Sequence, residues 1–161
     1  SAKMLSPKIE GRILDSIDVQ SDESVLEIGT GSGYFTAVLG KLAGRVVSIE
    51  VDQALSTSAK ENLKSLALNN VDLQVSDASK TDFSNQKYDV IVFGCSLNKQ
   101  SKKFNALLNT GGRLFAVIGV KNKMQATLIT RISETEWRTK SIFETHLDYM
   151  EGQEPAVVFA F

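Results

Sequence analysis

A glycine-rich turn between two apolar runs constrains the fold of this chain most strongly. The run Val25–Ile28 contains Glu27, and glycines follow at positions 29, 31 and 33. A second apolar run, at 46–49, ends at Glu50. A buried parallel strand, a glycine turn, a helix and a second strand that ends in a carboxylate would produce this pattern. Such a unit binds an adenosine-containing cofactor at the carboxyl ends of its strands.

The spacing of the glycines helps to distinguish between cofactors. In the dinucleotide fingerprint G-x-G-x-x-G, the third glycine lets the helix pack closely on the strand. That position is Tyr34 when counted from Gly29 and Thr36 when counted from Gly31, so neither frame fits. The observed G-x-G-x-G instead places bare backbone in a tight turn, where glycine adopts a positive φ without steric cost. The turn therefore favours a bulky cofactor other than NAD, and an NAD-dependent protein of the same architecture is the alternative.

Length and composition limit the classes of protein that this chain can belong to. Its 161 residues predict a single domain over 1–161, and 42% apolar and 23% charged residues are ordinary for a globular protein. A net charge of −1 gives no basic surface for nucleic acid. We see no membrane-length apolar run and no signal peptide, so we expect a cytoplasmic protein without a membrane partner. With one cysteine and one histidine, we predict no metal site.

The hydrophobic periodicity predicts a Rossmann-like, doubly wound α/β fold with three α/β/α layers. We expect a mostly parallel seven-stranded sheet with antiparallel strands added near the C-terminus. The predicted strands are 25–28, 46–50, 71–75, 90–93 and 113–118, followed by β-type segments at 125–133 and 137–149 and a terminal strand at 155–161. The predicted helices start at Ser6-Pro7 and otherwise cover 34–42, 52–68 and 101–109, with a tight turn at 110–112.

The string E-x-G-x-G-x-G-Y at 27–34 resembles motif I of the class I S-adenosylmethionine-dependent methyltransferases. The resemblance implies S-adenosylmethionine as cofactor, with Glu50 at its ribose hydroxyls and Asp77 near its adenine amino group. Carboxylates at strand ends accept hydrogen bonds from such groups and fix their orientation. The alternatives are a solvated strand-end carboxylate for Glu50 and a turn cap for Asp77. The implied cofactor-binding residues are Glu27, Gly29, Thr30, Gly31, Ser32, Gly33, Glu50, Val51, Asp77 and Ala78.

Within this class, the closest resemblance is to the protein-L-isoaspartate O-methyltransferase family. The string V-L-E-I-G-T-G-S-G-Y at 25–34 is that family's form of motif I, and L-L-N-T-G-G-R-L at 107–114 is similar to its L-L-x-P-G-G-R-L. The segment 88–92 resembles its Y/F-D-x-I-x-V strand, and 4–9 resembles its substrate-pocket segment T-I-S-x-P. The resemblance implies carboxyl methylation of isoaspartyl residues in damaged proteins or peptides, with Ser6 orienting the substrate.

The resemblance is weaker at the substrate pocket than at the cofactor turn. When the prolines are aligned, Leu5 occupies the position of the family's pocket serine, and Ser6 fills it only after a shift of one residue. Ser6 would alternatively cap the helix that starts at Pro7. The alternatives for the activity are a related methyltransferase that acts on RNA or a small molecule, and a cofactor-binding protein that has lost isoaspartyl activity.

The residues that follow the predicted strand 90–93 also depart from the family. The segment Gly94–Asn98 lacks the family's alanine- and proline-rich run. Cys95 lies where cytosine-5 methyltransferases have a nucleophilic cysteine, but their adjoining proline is absent here. We therefore interpret Cys95 as a small apolar residue at the end of a central strand.

Overall fold

The computed structural model describes residues 5–155, which form a mixed sheet of seven strands flanked by helices. The strands are β1 (Ser24–Ile28), β2 (Arg45–Glu50), β3 (Val71–Val75), β4 (Tyr88–Leu97), β5 (Leu108–Ile118), β6 (Gln125–Arg131) and β7 (Trp137–Glu144). The helices are α1 (Pro7–Ile17), α2 (Tyr34–Leu42), α3 (Gln53–Lys64) and α4 (Lys102–Asn105). The predicted α/β class, with a parallel core and antiparallel C-terminal strands, is confirmed.

The strand order β3-β2-β1-β4-β5-β6-β7 places β1 near the middle of the sheet. Leu26 of β1 pairs with Val47 of β2 on one side and with Ile91 of β4 on the other, all in parallel. Strands buried on both faces need nearly continuous apolar residues, which explains the runs seen in the sequence. The chain adds β2 and β3 on one side of β1 and then crosses to the other side for β4. Ligands bind at such a switch point, outside the carboxyl ends of the strands.

Two apolar clusters bury the faces of the sheet. On one face, Ile13 of α1 and Leu39 of α2 pack against the central strands. On the other face, the Phe104 ring of α4 lies edge-on to Phe93 of β4, with ring centroids 4.9 Å apart. Aromatic pairs in this arrangement contribute about 0.5–1.5 kcal/mol beyond their buried area. Within residues 5–155, no helix is long and apolar enough to cross a membrane.

The predicted helix at 101–109 and the turn at 110–112 are wrong in extent. The helix is limited to α4, and 110–112 belong to the long strand β5. Leu108 is fully buried where it pairs with Tyr88 in the sheet, so the chain must leave the helix before it. Gly111 has φ +83°, and the register between β4 and β5 shifts here, so the two glycines form an irregularity in the strand.

Two other predicted boundaries also differ from the structure. The helix predicted at 52–68 ends at Lys64, and Ala67 beyond it has φ +49°, a left-handed conformation that no helix continues. The segment predicted at 137–149 is a strand only as far as Glu144, and the chain then turns across the end of the sheet. Of the predicted terminal strand at 155–161, all but Pro155 lies outside the described residues.

Candidate active site

A cavity of about 410 Å³ opens at the carboxyl ends of the central parallel strands. This volume is within the range of small-molecule sites, and the cavity lies at the switch point of the strand order. Its walls come from four strand ends, at 28–32, 49–51, 76–78 and 94–95. The remaining walls come from Leu5, Glu10 in the first turn of α1, Phe35 of α2, the segment 146–151 and Glu154.

The glycine turn after β1 brings bare backbone to the cavity. Gly29, Gly31 and Gly33 have φ values of +97°, +54° and +81°, which L-residues with side chains rarely adopt. At Gly33 a Cβ would come within 3.0 Å of the Ala59 Cβ in α3. The close approach of α3, together with the positive φ, accounts for the third glycine. Gly29 and Gly31 line the cavity and Gly33 does not, because it faces α3.

The carboxylate of Glu50 joins the end of β2 to the glycine turn. Its Oε2 accepts the backbone N–H of Gly31 at 2.9 Å, and its Oε1 accepts the N–H of Asp52 at 3.1 Å. An ionised carboxylate has about four acceptor sites, so about two remain free to accept hydrogen bonds from a ligand. Glu50 is 7% exposed and lines the cavity. It can therefore hold the turn and accept hydroxyl hydrogens at the same time.

Glu27 lies beneath the turn and is almost fully buried. Its Oε2 accepts hydrogen bonds from Thr36 Oγ1 at 2.5 Å and from Ser48 Oγ at 2.6 Å, and Ser48 in turn is 2.6 Å from Thr30 Oγ1. Burial nevertheless raises the pKa of Glu27 to about 7. A cationic ligand group in the cavity would favour the ionised form and lower this pKa.

Asp77 caps a turn after β3. Its Oδ1 accepts the backbone N–H of Ser79 at 2.9 Å, and its Oδ2 lies 2.8 Å from Lys80 Nζ. The hydrogen bond from Lys80, followed by that from the Ser79 hydroxyl, lowers the pKa of Asp77 to about 2. Asp77 and the buried Ala78 both line the cavity. The Asp77 carboxylate therefore holds the turn that brings Asp77 and Ala78 to the cavity. Its remaining lone pairs can accept hydrogen bonds from a ligand.

Lys103 of α4 holds the same turn from the other side, which the sequence interpretation missed. Its Nζ donates hydrogen bonds to the carbonyl oxygens of Ala78, Ser79 and Thr81, at 3.1, 2.9 and 2.8 Å. The ammonium group thus places all three of its donors on consecutive parts of one turn. No local pattern indicates this contact, because 24 residues separate Lys103 from Ser79.

Two further walls of the cavity were also not predicted from the sequence. The segment 146–151 crosses the end of β4, where Ser96 donates its N–H to Asp148 O at 2.8 Å and accepts the N–H of Met150 at 2.8 Å. Ser96 Oγ also donates to Leu147 O at 2.9 Å. Glu10 of α1 also lines the cavity and is 7% exposed. An acid within the apolar stripe of a helix was the available indication for Glu10.

The structure separates Ser6 from the predicted cofactor residues. Ser6 Oγ accepts the Ile9 N–H at 3.4 Å as the N-cap of α1, and the residue that lines the cavity from this segment is Leu5. Except for Gly33, the predicted cofactor residues all line the cavity, including Val51, which is 49% exposed. The geometry therefore brings the predicted cofactor residues other than Gly33 together around one cavity, and Ser6 caps a helix beside it.

Cys95 lines the cavity, but its thiol is held in the protonated form. Burial and, to a smaller extent, the charge of Glu50 raise the pKa of Cys95 to about 12. The thiolate is the nucleophilic form of cysteine, so Cys95 is not poised for attack at neutral pH. Within the described part of the chain, no group of three or more His, Cys, Asp or Glu side chains could hold a metal ion.

The geometry has a counterpart among known proteins. The family model described as protein-L-isoaspartate(D-aspartate) O-methyltransferase matches residues 1–149. This chain belongs to that family. It is 30% identical over 152 residues to the protein-L-isoaspartate O-methyltransferase of Rhodopseudomonas palustris, and the match covers 94% of this chain and 70% of the relative. It is 37% identical over 125 residues to the enzyme of that name from Aliivibrio salmonicida, with coverage of 78% and 60%.

Solved structures of protein-L-isoaspartate O-methyltransferases share the fold. One superimposes with a TM-score of 0.81 at 24% identity and covers 91% of this chain, but this chain covers only 48% of that one. A Plasmodium falciparum protein assigned to the same family, in complex with S-adenosyl-L-homocysteine, gives a TM-score of 0.75 at 18% identity, with coverage of 91% and 74%. The chain therefore spans about half to three-quarters of the length of these relatives.

Proposed function

We propose that this chain binds S-adenosylmethionine and transfers its methyl group to the side-chain carboxyl of isoaspartyl residues in proteins or peptides. The observation that supports the proposal most is the hydrogen bond from the Gly31 N–H to Glu50 at the switch-point cavity. It joins the two parts of the family's cofactor motif in one rigid unit. Membership of the family supports the choice of donor and acceptor.

The lining residues fit the parts of this cofactor. The free acceptor sites of Glu50 suit the two ribose hydroxyls, because a carboxylate accepts both hydrogens without a competing donor. The half-exposed Val51 and the buried Ala78 offer apolar surface for the adenine ring. Glu27, whose pKa is raised by burial, offers a carboxylate to the ammonium group of the methionine part. The bare glycine backbone lets the cofactor approach closely.

The reaction requires little acid–base catalysis from the side chains of the protein. The cofactor supplies a methyl group on a positively charged sulfur. A carboxyl acceptor is already ionised at neutral pH, since such groups titrate near pH 4, so no general base has to remove a proton. The remaining tasks are to align the acceptor with the methyl group and to exclude water. Leu5 and the segment 146–151, which both line the cavity, are placed to do this.

A methyltransferase with a different acceptor is the second candidate, and the lining of the cavity favours it in one respect. Leu5 presents an apolar side chain where the resemblance would place a pocket serine, and Ser6 is used as a cap. Glu10 and Asp148 add negative charge to the same region. An anionic acceptor would be repelled by these carboxylates, whereas a neutral or cationic acceptor would not.

Calorimetric titration with S-adenosylhomocysteine tests the cofactor site, and methyl transfer to an isoaspartyl peptide tests the acceptor. We expect the wild type to bind S-adenosylhomocysteine and Glu50→Gln to bind it at least about tenfold more weakly, because hydrogen bonds to a charged group contribute about 1.5–3 kcal/mol each. Glu61→Gln is the control, since Glu61 is exposed, forms an ion pair with Lys64 and does not line the cavity. Unchanged affinity in Glu50→Gln would contradict the proposed site. Binding without methylation of the peptide would favour the second candidate.

A further inference from the structure

Glu10 is a buried acid without a structural task. Helix α1 presents Ile13 and Ile17 to the sheet, and Glu10 continues the same stripe toward the cavity. Its residue surface is 93% buried, yet no residue between 5 and 155 donates a hydrogen bond to its carboxylate. The carboxylate oxygens of Glu10 are accessible from the cavity, at a position where a helix stripe ordinarily places an apolar residue. The side chain lines the cavity, which indicates that its partner is a ligand.

The position of Glu10 within the cavity identifies which part of a ligand it meets. Helix α1 packs against β5, on the other side of β1 from β2 and β3, and Glu10 lies in the first turn of that helix. The adenine side of the proposed site, at Val51 and Ala78, belongs to the ends of β2 and β3 instead. Glu10 also belongs to the helix that begins just after Leu5, on the proposed acceptor side. Glu10 therefore lies between the amino-acid end of the donor and the acceptor.

We propose that Glu10 is the counter-charge for the sulfonium group of the methyl donor. The inference rests on the proposed function, because it takes S-adenosylmethionine as the ligand. In that ligand the positively charged sulfur stands between the amino-acid end and the acceptor, as Glu10 does in the cavity. Burial raises the pKa of Glu10, with no nearby cation among the described residues to offset it, and a bound sulfonium would supply that cation.

The consequence is a preference for the donor over its product. S-adenosylhomocysteine has a neutral sulfur, so it loses the attraction to Glu10 while it keeps its other contacts. For unit charges about 7 Å apart, Coulomb's law predicts that the donor binds about threefold more tightly than the product with water-like screening. With the screening usual near a protein surface, the difference is about fiftyfold. Glu10 would thereby help the spent donor to leave and a new donor to enter.

Calorimetric titration of S-adenosylmethionine and S-adenosylhomocysteine into three proteins tests this proposal. The wild type should bind the charged donor more tightly than the product. In Glu10→Gln the ratio of the two dissociation constants should fall by at least about threefold, with the product's affinity nearly unchanged. Glu10→Asp, which keeps the charge, should retain part of the preference. Asp15→Asn removes a charge from an exposed position on the same helix and should leave the ratio unchanged.

The outcomes separate this inference from the function on which it rests. If the wild type binds neither ligand, the proposed function fails and the role of Glu10 fails with it. If the wild type binds both ligands and Glu10→Gln leaves the ratio of the two dissociation constants unchanged, only the role of Glu10 is refuted. The same holds if Glu10→Gln weakens the binding of both ligands equally. Thermal unfolding checks the fold: the melting temperature of Glu10→Gln should not fall, because the Glu10 carboxylate forms no ion pair with residues 5–155 that the substitution would break.

Discussion

Replacing Glu27 by glutamine should change how the stability of the protein depends on pH. Glu27 has an ordinary pKa of 4.5 when unfolded and about 7 in the folded protein, because burial disfavours its charge. The folded state therefore binds this proton more tightly than the unfolded chain does. The stabilisation is fully present below pH 4.5 and is lost as the pH rises through about 7.

The size of the effect follows from the shift of the pKa. One pKa unit corresponds to about 1.4 kcal/mol, so the free energy of unfolding should lose about 2–3 kcal/mol between pH 5 and pH 8 through Glu27 alone. Glutamine is the matched substitution, because its amide oxygen can still accept the hydroxyl hydrogens of Thr36 and Ser48. The difference in stability between wild type and Glu27→Gln should therefore shift by this amount in favour of the variant at high pH.

Urea unfolding of both proteins at pH 5, 6, 7 and 8 measures this difference directly. Titration of every other group is common to the two proteins and cancels in the comparison. Glu61→Gln is the control, since it replaces a glutamate that is exposed on α3. If the difference for Glu27→Gln stays constant to within about 0.5 kcal/mol from pH 5 to pH 8, burial does not govern the ionisation of Glu27 and the reasoning is refuted.

Four further substitutions test other parts of the structure. Arg113→Met should lower the free energy of unfolding in urea by about 2–3 kcal/mol, because the guanidinium joins the end of α1 to the chain before β1. An unchanged urea concentration at the midpoint of unfolding would contradict this. Gly33→Ala should lower the melting temperature, because the φ of residue 33 is +81° and a Cβ there would crowd Ala59. Gly11→Ala should raise the melting temperature slightly, because open space surrounds the position of its Cβ. Equal effects of the two substitutions would contradict the strain argument. Cys95→Ala should keep most of the methyl-transfer activity, and Cys95 of the wild type should react slowly with iodoacetamide at pH 8. Loss of all turnover in Cys95→Ala would indicate that Cys95 is a nucleophile after all.

The part of the fold that the sequence predicted well is the part with local causes. The apolar run at Val25–Ile28 is needed for a strand buried on both faces, and the glycines after it have the positive φ that the tight turn requires. The end of the next strand at Glu50 follows from the same pattern. These elements were predictable because each residue's own chemistry determines its place.

The features that could not be predicted depend on residues distant in the chain. The strand that contains Gly111 and Gly112 is irregular because it pairs with β4, which the local glycine pair does not indicate. Lys103 holds the turn at 78–81 across more than twenty residues, and the segment 146–151 reaches β4 only through Ser96. The sequence shows Glu10 as an acid within an apolar helix stripe, but only the structure shows that it lines the cavity.

The transfer of a labelled methyl group from S-adenosylmethionine to an isoaspartyl peptide tests the central claim most directly. The comparison is with a peptide of the same sequence that contains an ordinary aspartate, with both assayed at saturating donor. We predict base-labile label in the isoaspartyl peptide alone, as expected for a methyl ester on that carboxyl. No label in either peptide, although calorimetry shows that the donor is bound, or equal label in both peptides, would contradict the claim that this chain is an isoaspartyl methyltransferase.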